Sequence, residues 1–441
     1  MKGLLSFKHG VHPPENKDIT AGIASRRFPF PEEIILPLSQ HIGTPAKALV
    51  KPGDYIERGD VIAEAAGFIS SAVHATASGT VKSIELWPHP SGNMAPSIRI
   101  AVDPNSAQMR RPRTVPRWQD VKDEDLSKEI GKAGIVGLGG AAFPSHVKLN
   151  PPKDQPIDLL LINGCECEPY LTSDHRTMLE RPDDVYTGIR IALKALGITR
   201  AVIGIEANKP DAIEMMRKTA PSDLDVTVQP LQVKYPQGAE KMLIKAVTGR
   251  EVPSGALPSA IGALVQNVAT SANVAAVFES GQPLIERIIT ISGRGIQKPG
   301  NWVIPFGTKL RDVIDQCGGL TDDAAEIVFG GPMMGLGQAN LDVPILKATG
   351  GILVLSKDEC KRQDILPCIR CGKCLEVCPI FLNPQLMGAL AKAERFEELE
   401  AEANLKDCML CGCCSYVCPS NIPLSQLFMA ARIQLKRLSV S

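Results

Sequence analysis

The spacing of apolar positions changes along the chain, and each change marks a new block. From residue 3 to about 102, short apolar segments alternate with polar turns at Val50-Lys51-Pro52-Gly53-Asp54, Glu57-Arg58-Gly59-Asp60 and Ala77-Ser78-Gly79-Thr80-Val81. That pattern predicts short β-strands. From about 120 to 278, strand-like runs at 157–163, 201–205 and 226–230 alternate with helical periodicity over 182–196 and 211–219. Such alternation predicts a parallel α/β sheet. Near the end, Leu386, Met387, Leu390, Ala391, Phe396 and Leu399 recur at helical spacing, which predicts one helix over 384–405; a second amphipathic helix is predicted over 424–438. A stretch rich in Pro and Arg at 110–117 reads as a solvated linker.

Composition narrows the setting. The 441 residues suffice for three or four domains with ample core. Lys plus Arg equals Asp plus Glu, at 48 each, so charge argues for neither nucleic acid nor anionic lipid as a partner. Eight of the 13 cysteines fall in two tight runs, which points to a reducing compartment rather than a disulfide framework. The first residues lack a signal peptide's apolar core. No run of about 18 apolar residues exists; the nearest, 260–278, is interrupted by Gln266, Asn267, Thr270, Ser271 and Asn273. A soluble protein, or one peripheral on a membrane partner, is expected.

The two runs are Cys368-x-x-Cys371-x-x-Cys374-x-x-x-Cys378-Pro379 and Cys408-x-x-Cys411-x-x-Cys414-x-x-x-Cys418-Pro419. With this spacing three thiolates hold one [4Fe–4S] cluster and the fourth reaches across to the other. The expected ligand sets are Cys368, Cys371, Cys374 with Cys418, and Cys408, Cys411, Cys414 with Cys378. Structural zinc sites instead pair separated Cys-x-x-Cys units around one ion. Cys413 is a surplus thiol in the second run, so both it and Cys414 stand as candidates for that ligand position.

Two further segments offer binding chemistry. Gly137-Leu138-Gly139-Gly140-Ala141-Ala142-Phe143-Pro144 brings backbone amides that can cradle a phosphate. A helical stretch at 124–132 precedes it, where a Rossmann fingerprint has a strand. Asn163-Gly164-Cys165-Glu166-Cys167-Glu168-Pro169-Tyr170 follows an apolar strand, the position at which open α/β sheets bind ligands. Its Asn and carboxylates suit ribose hydroxyls or a flavin edge. Arg176 reads as an ion-pair residue, and the scattered histidines read as structural.

These segments occur in one order with Tyr235-Pro236-Gln237-Gly238-Ala239-Glu240-Lys241 and Gln266-Asn267-Val268. So arranged, they resemble the NADH- and FMN-binding flavoprotein subunit of respiratory complex I. Over essentially the whole chain, from Gly10-Val11-His12-Pro13-Pro14-Glu15 onward, the sequence is similar to the C subunits of Rnf complexes, the ion-translocating ferredoxin:NAD oxidoreductases of bacterial membranes. The resemblance implies a multidomain α+β fold. Residues 1–115 form an N-terminal β barrel-sandwich, similar to lipoyl domains but with no lysine between Gly59 and Val81 to modify. Residues 116–285 form a central Rossmann-like α/β domain, and 286–358 a β-grasp (SLBB-like) domain. Residues 359–441 form a C-terminal helical two-cluster ferredoxin domain. The third domain reads as scaffold, with Gly330-Gly331-Pro332-Met333-Met334-Gly335 as tight packing.

The resemblance also implies noncovalent FMN and NAD(H). Gly137, Gly139 and Gly140 would lie against FMN and the nucleotide phosphates, with Lys148 near the flavin phosphate and Phe143 stacked on adenine. Asn163, Glu166 and Glu168 would meet the flavin edge and the nicotinamide, the two carboxylates being the catalytic candidates. Gly238, Glu240 and Asn267 would complete the pocket, with Tyr235 in its wall. The sequence departs from the complex I pattern at Leu138, Gln266 and Cys165, where the complex I flavoprotein has Arg, Asn and an acidic residue. The implied reaction is hydride exchange between NAD and FMN, then single-electron steps through both clusters. The implied partners are other subunits of the Rnf membrane complex, with ferredoxin reached indirectly. The implied location is peripheral, on the cytoplasmic face of the bacterial inner membrane. Two further readings share the motifs: a soluble cobalamin reductase with the same flavin-plus-cluster plan, and a non-catalytic electron-relay scaffold. The A subunit of the sodium-pumping NADH:quinone reductase resembles the front of the chain but lacks the paired cysteine runs.

Overall fold

The computed structural model describes residues 3–110, 114–152, 154–360 and 363–438. Residues 111–113 of the linker read at 110–117 lie outside the described part. In the first unit, strands Glu33–Pro37, Met94–Val102, Gly79–Pro88 and Tyr55–Ile56 form one sheet, and Lys47–Ala48, Val61–Glu64 and Val73–His74 form a second. Alternation drives it: Val81 is buried while its neighbours Thr80 and Lys82 are exposed, the two-residue period of a half-buried strand.

The second unit is a four-stranded parallel sheet in the order Val226–Leu231, Ala201–Glu206, Leu159–Gly164, Ala263–Asn267. Leu159 to Ile162 are all buried, because helices cover both faces and leave no polar side. Helix Pro182–Leu196 starts with Pro at its first turn beside Asp183 and Asp184, and stops at Gly197 in the left-handed conformation. From Leu159–Gly164 the chain winds outward in one direction, then returns to place Ala263–Asn267 on the other side. The strand order therefore reverses between Leu159–Gly164 and Ala263–Asn267, which opens a crevice at their carboxyl ends.

The third unit is a six-stranded sheet, and the chain's own N-terminus enters it. Arg26–Arg27 pairs in parallel with Gly300–Pro305. Residues 3–25 form a strap ahead of that strand. Leu5 bridges to Leu231, Val11 bridges to Tyr235, the Gly10 amide donates to Val377 O at 3.1 Å, and Tyr170 donates its amide to Glu15 O at 2.8 Å. The buried Glu286 receives Arg58 at 2.5 Å and Arg27 at 2.9 Å, tying the first unit and strand Arg26–Arg27 to the rest of the third.

In the fourth unit the single helix expected over 384–405 is corrected. Helix Pro384–Lys392 ends at Ala393, Glu394 turns the chain at φ 55°, helix Phe396–Ala401 follows, and Asn404 turns again at φ 53°. A straight helix of that length would extend roughly 30 Å. The turns instead fold Leu399 and Leu405 back onto Met387 and Phe428 in one small core. Helix Leu424–Leu438 forms as expected.

Candidate functional site

The glycine loop follows helix Asp123–Lys132, as its sequence position implies, and is pinched at its neck by the Gly137 amide donating to Phe143 O at 2.8 Å. Leu138 is buried and anchors the back of the loop. Its amide donates to Thr270 Oγ1 at 2.9 Å, and its carbonyl accepts from Arg287 Nη1 at 2.9 Å. Gly139 and Gly140 are exposed at the tip, and space is open where a Cβ of Gly140 would point. Phe143 is half-buried at the neck. Lys148, on the short helix Ser145–Lys148, meets Glu240 at 2.6 Å; Glu240 opens helix Glu240–Thr248.

Asn163 and Asn267 are register partners at the carboxyl ends of the two strands that flank the crevice. Asn163 Nδ2 donates to Gly238 O at 2.8 Å and its Oδ1 accepts the Cys165 amide at 3.0 Å, while the Gly238 amide donates to Cys167 Sγ at 3.3 Å. The 163–168 turn and the 235–238 loop are thus laced together.

The two expected catalytic carboxylates point different ways. Glu166 is buried, and its oxygens accept Ser173 Oγ at 3.0 Å, the Asp174 amide at 3.0 Å and the His175 amide at 3.2 Å. Those bonds set it on the positive end of helix Ser173–Glu180. Glu168 Oε2 accepts the Met333 amide at 3.1 Å, and Tyr235 Oη donates to its Oε1 at 3.4 Å. Burial pushes the Glu168 carboxyl up to about 7, against the downward pull of the Met333 amide.

Several contributors carried no motif. Buried Lys17, from the strap, donates to Glu168 O at 2.8 Å and Leu171 O at 2.5 Å. Asp174 Oδ2 accepts from Asn267 Nδ2 at 2.6 Å, while its Oδ1 is buried with no protein partner. Burial, then the charge of Glu166, raises Asp174 to about 7. An open glycine tip, a lysine on the short helix that follows it and an orphaned buried acceptor together fit a group that carries both a phosphate and N–H donors, as FMN does. Thr270 and Arg287, behind the loop, were equally unmarked in sequence. Arg176 pairs with Glu180 at 2.6 Å, as its position after the strand implied.

The cysteines gather in two groups, each drawing on both runs. Cys374 has Cys368, Cys371 and Cys418 as its thiol neighbours. Cys408 and Cys414 both have Cys411 and Cys378. The runs repeat one backbone: Arg370 and Leu410 both take φ 54°, Gly372 and Gly412 both take φ 78°, and helices Lys373–Glu376 and Cys413–Tyr416 follow. In this repeat Cys413 stands where the first run has Lys373, and Cys414 stands where it has Cys374. Among the described residues no three His, Cys, Asp or Glu side chains are spaced for a single metal ion. The second set instead lines a cavity with Met387 and Phe428, which suits a cluster.

The two sets differ in surroundings. Cys378, Cys411 and Cys414 are buried, and Cys411 and Cys413 pack with Val11, Tyr235, Cys167 and Met333 against the crevice's turn. Cys368 and Cys371 are exposed, beside the exposed Ile365, Leu366 and Ile369.

Family models match in the order of the four units. They are the RnfC barrel sandwich hybrid domain at residues 5–105, the Nuo51 FMN-binding domain at 130–276, the SLBB domain at 288–337 and the 4Fe-4S dicluster domain at 364–422. The C subunit of the proton-translocating ferredoxin:NAD(+) oxidoreductase complex of Clostridium ljungdahlii is 45% identical over 404 residues, covering 92% of this chain and 88% of that one. Its counterpart in the Na(+)-translocating ferredoxin:NAD(+) oxidoreductase complex of Acetobacterium woodii is 42% identical over 396 residues, with 90% and 89% covered. The C subunit of the ion-translocating oxidoreductase complex of Rhodobacter capsulatus is 40% identical over 440 residues, with 98% and 83% covered. A solved NAD+-reducing [NiFe]-hydrogenase in the H2-reduced state shares the fold at a TM-score of 0.50 and 19% identity, over 72% of this chain and 62% of that one.

Proposed function

Because this chain belongs to the family of C subunits of ion-translocating ferredoxin:NAD(+) oxidoreductase complexes, we propose that it exchanges hydride with NAD at a noncovalent FMN and passes single electrons through two [4Fe–4S] clusters. Bound FMN supplies the conversion between a two-electron hydride and single electrons. The chain supplies position and charge. Gly139, Gly140 and Lys148 would hold the flavin phosphate, with Gly137 at the loop's neck and Phe143 against adenine. Asn163, Gly238 and Asn267 line the crevice, Glu240 orients Lys148, and Tyr235 holds Glu168. Glu168 is the carboxyl that reaches toward the nicotinamide end, and Glu166 keeps the helix under it in place. Hydride transfer to a flavin needs no general acid or base from the chain.

One observation carries the electron route: Cys411 of the second set packs with Tyr235 and Cys167 of the flavin unit, while Cys368 and Cys371 of the other set are exposed. Electrons would pass first to the cluster held by Cys378, Cys408, Cys411 and Cys414, then to that held by Cys368, Cys371, Cys374 and Cys418, and from there to a neighbouring protein of the complex. Among the described residues no helix is long and apolar enough to cross a membrane. Attachment to the membrane complex, on its cytoplasmic face, would run through partner subunits, with ferredoxin reached through them.

The test is anaerobic reconstitution with iron, sulfide and FMN, followed by NADH, while flavin absorbance and cluster EPR are recorded. Flavin bleaching followed by reduced-cluster signals is expected. Clusters that form while FMN stays unbound and NADH does nothing would leave only an electron relay.

A further inference from the structure

The 330–335 loop has a place in the structure that tight packing does not describe. It is the tip of the hairpin joining strands Ala324–Phe329 and Leu336–Gly337. Gly331 lies against Glu168 so closely that a Cβ would stand 2.2 Å from Oε2; no other residue fits without displacing the carboxylate. Met333 follows, and its amide donates to that same oxygen at 3.1 Å. The Met334 amide bonds this carboxyl as well. The Met333 carbonyl oxygen faces the other way. It sits 2.8 Å from where a Cβ of Gly412 would be, between Cys411 and Cys413. The Met333 side chain packs with Cys411, Cys413, Tyr235 and Cys167. One residue of the third domain thus touches the turn of the second and the cysteine loop of the fourth.

We infer that Met333 is a positioning residue for electron passage, a wedge that fixes the cluster loop at 408–414 against the flavin-side turn. The inference rests on the proposed function above. It gives the third domain a part in the reaction that a scaffold reading does not. The electron count is unaltered: the two electrons delivered with hydride would leave one at a time, each through both clusters in turn to the neighbouring protein, and the flavin's protons return to solvent. What the wedge controls is the gap those electrons cross. Small misplacements of reacting groups by a remote residue cost up to about a hundredfold in rate.

The experiment separates the steps in the reconstituted full chain. Rapid mixing with NADH gives flavin bleaching as a first phase, and freeze-quench EPR gives cluster reduction as a second. In Met333→Ala the first phase should stay within about twofold of wild type and the second slow by about ten- to a hundredfold. Iron content and the dithionite-reduced EPR amplitude should be unchanged, and Met333→Leu, which keeps the bulk, should restore the second phase. Reducing the flavin by light in place of NADH should show the same slowing, so a failure at the NADH step is told apart from a failure of the wedge. Both phases at wild-type rate in Met333→Ala would overturn the inference. Should that variant lose iron, Met333→Val, a milder truncation of the same side chain, takes its place, and an unslowed second phase there with iron retained overturns it equally.

Discussion

Gly139 and Asn267 approach so closely that a Cβ on the glycine would lie 2.9 Å from the Asn267 amide nitrogen. Asn267 has no room to yield. Its Oδ1 accepts the Ala269 and Thr270 amides, capping helix Val268–Ser280, and its Nδ2 holds Asp174. Gly139→Ala must either push the loop tip outward or loosen that cap, at a cost of about 1 kcal/mol for the cap alone. FMN affinity should fall at least tenfold, read from flavin fluorescence in a binding titration. Unchanged affinity would remove the loop tip from the flavin site.

Lys148 and Glu240 predict effects of opposite sign. A charge-assisted bond from lysine to a phosphate is worth about 1.5–3 kcal/mol, so Lys148→Ala should weaken FMN binding by roughly ten- to a hundredfold. Glu240→Gln removes the carboxylate that occupies Lys148 at 2.6 Å, so binding should hold or tighten. Equal weakening by both variants would make the pair a structural ion pair instead.

The crossed cysteine pairing has a double-variant test. Cys378→Ala with Cys408→Ala damages one ligand set only, and about half the iron should remain. Cys378→Ala with Cys368→Ala damages both sets, and little iron should remain. A run-by-run pairing predicts the reverse. Cys413→Ala should keep both clusters, because that position corresponds to Lys373 in the first run.

What could be read from sequence was local. The cysteine spacing carries its ligand sets because each run is one continuous turn of chain, and 159–162 reads as a buried strand because no polar residue interrupts it. The register that sets Asn163 beside Asn267 spans the whole crossover, and neither segment announces it. Lys17, Arg287 and Met333 act from other units, so no motif near the crevice points to them. Glu166 shows the same limit: nothing beside it in sequence announces its bonds to the helix start at Ser173. The helix expected over 384–405 failed in the same way, since periodicity continued through Glu394 while the core required a turn there.

Lys347 predicts a pH dependence with a definite sign. It is 1% exposed, at the junction of three units, and donates to Ala72 O and Gly134 O at 2.8 Å each. Its own carbonyl accepts Arg287, the residue that also holds Leu138 in the glycine loop. Burial pushes the Lys347 ammonium down to about 7, whereas an unfolded lysine titrates near 10.4. Below about pH 7 both states carry the proton, and the folded chain bears the full cost of burying the charge. Between the two values only the unfolded chain keeps it, so stability rises with pH by at most about 1.4 kcal/mol per unit from this group. The neutral amine still donates to both carbonyls, so the junction survives the change. In differential scanning fluorimetry the unfolding midpoint of the wild type should therefore climb from pH 7 to 9 relative to Lys347→Met, whatever the offset between the proteins. Below pH 7 the two curves should run parallel. Parallel curves across the whole range would mean that Lys347 keeps its charge when folded, and that water or a neighbouring group compensates it at the junction.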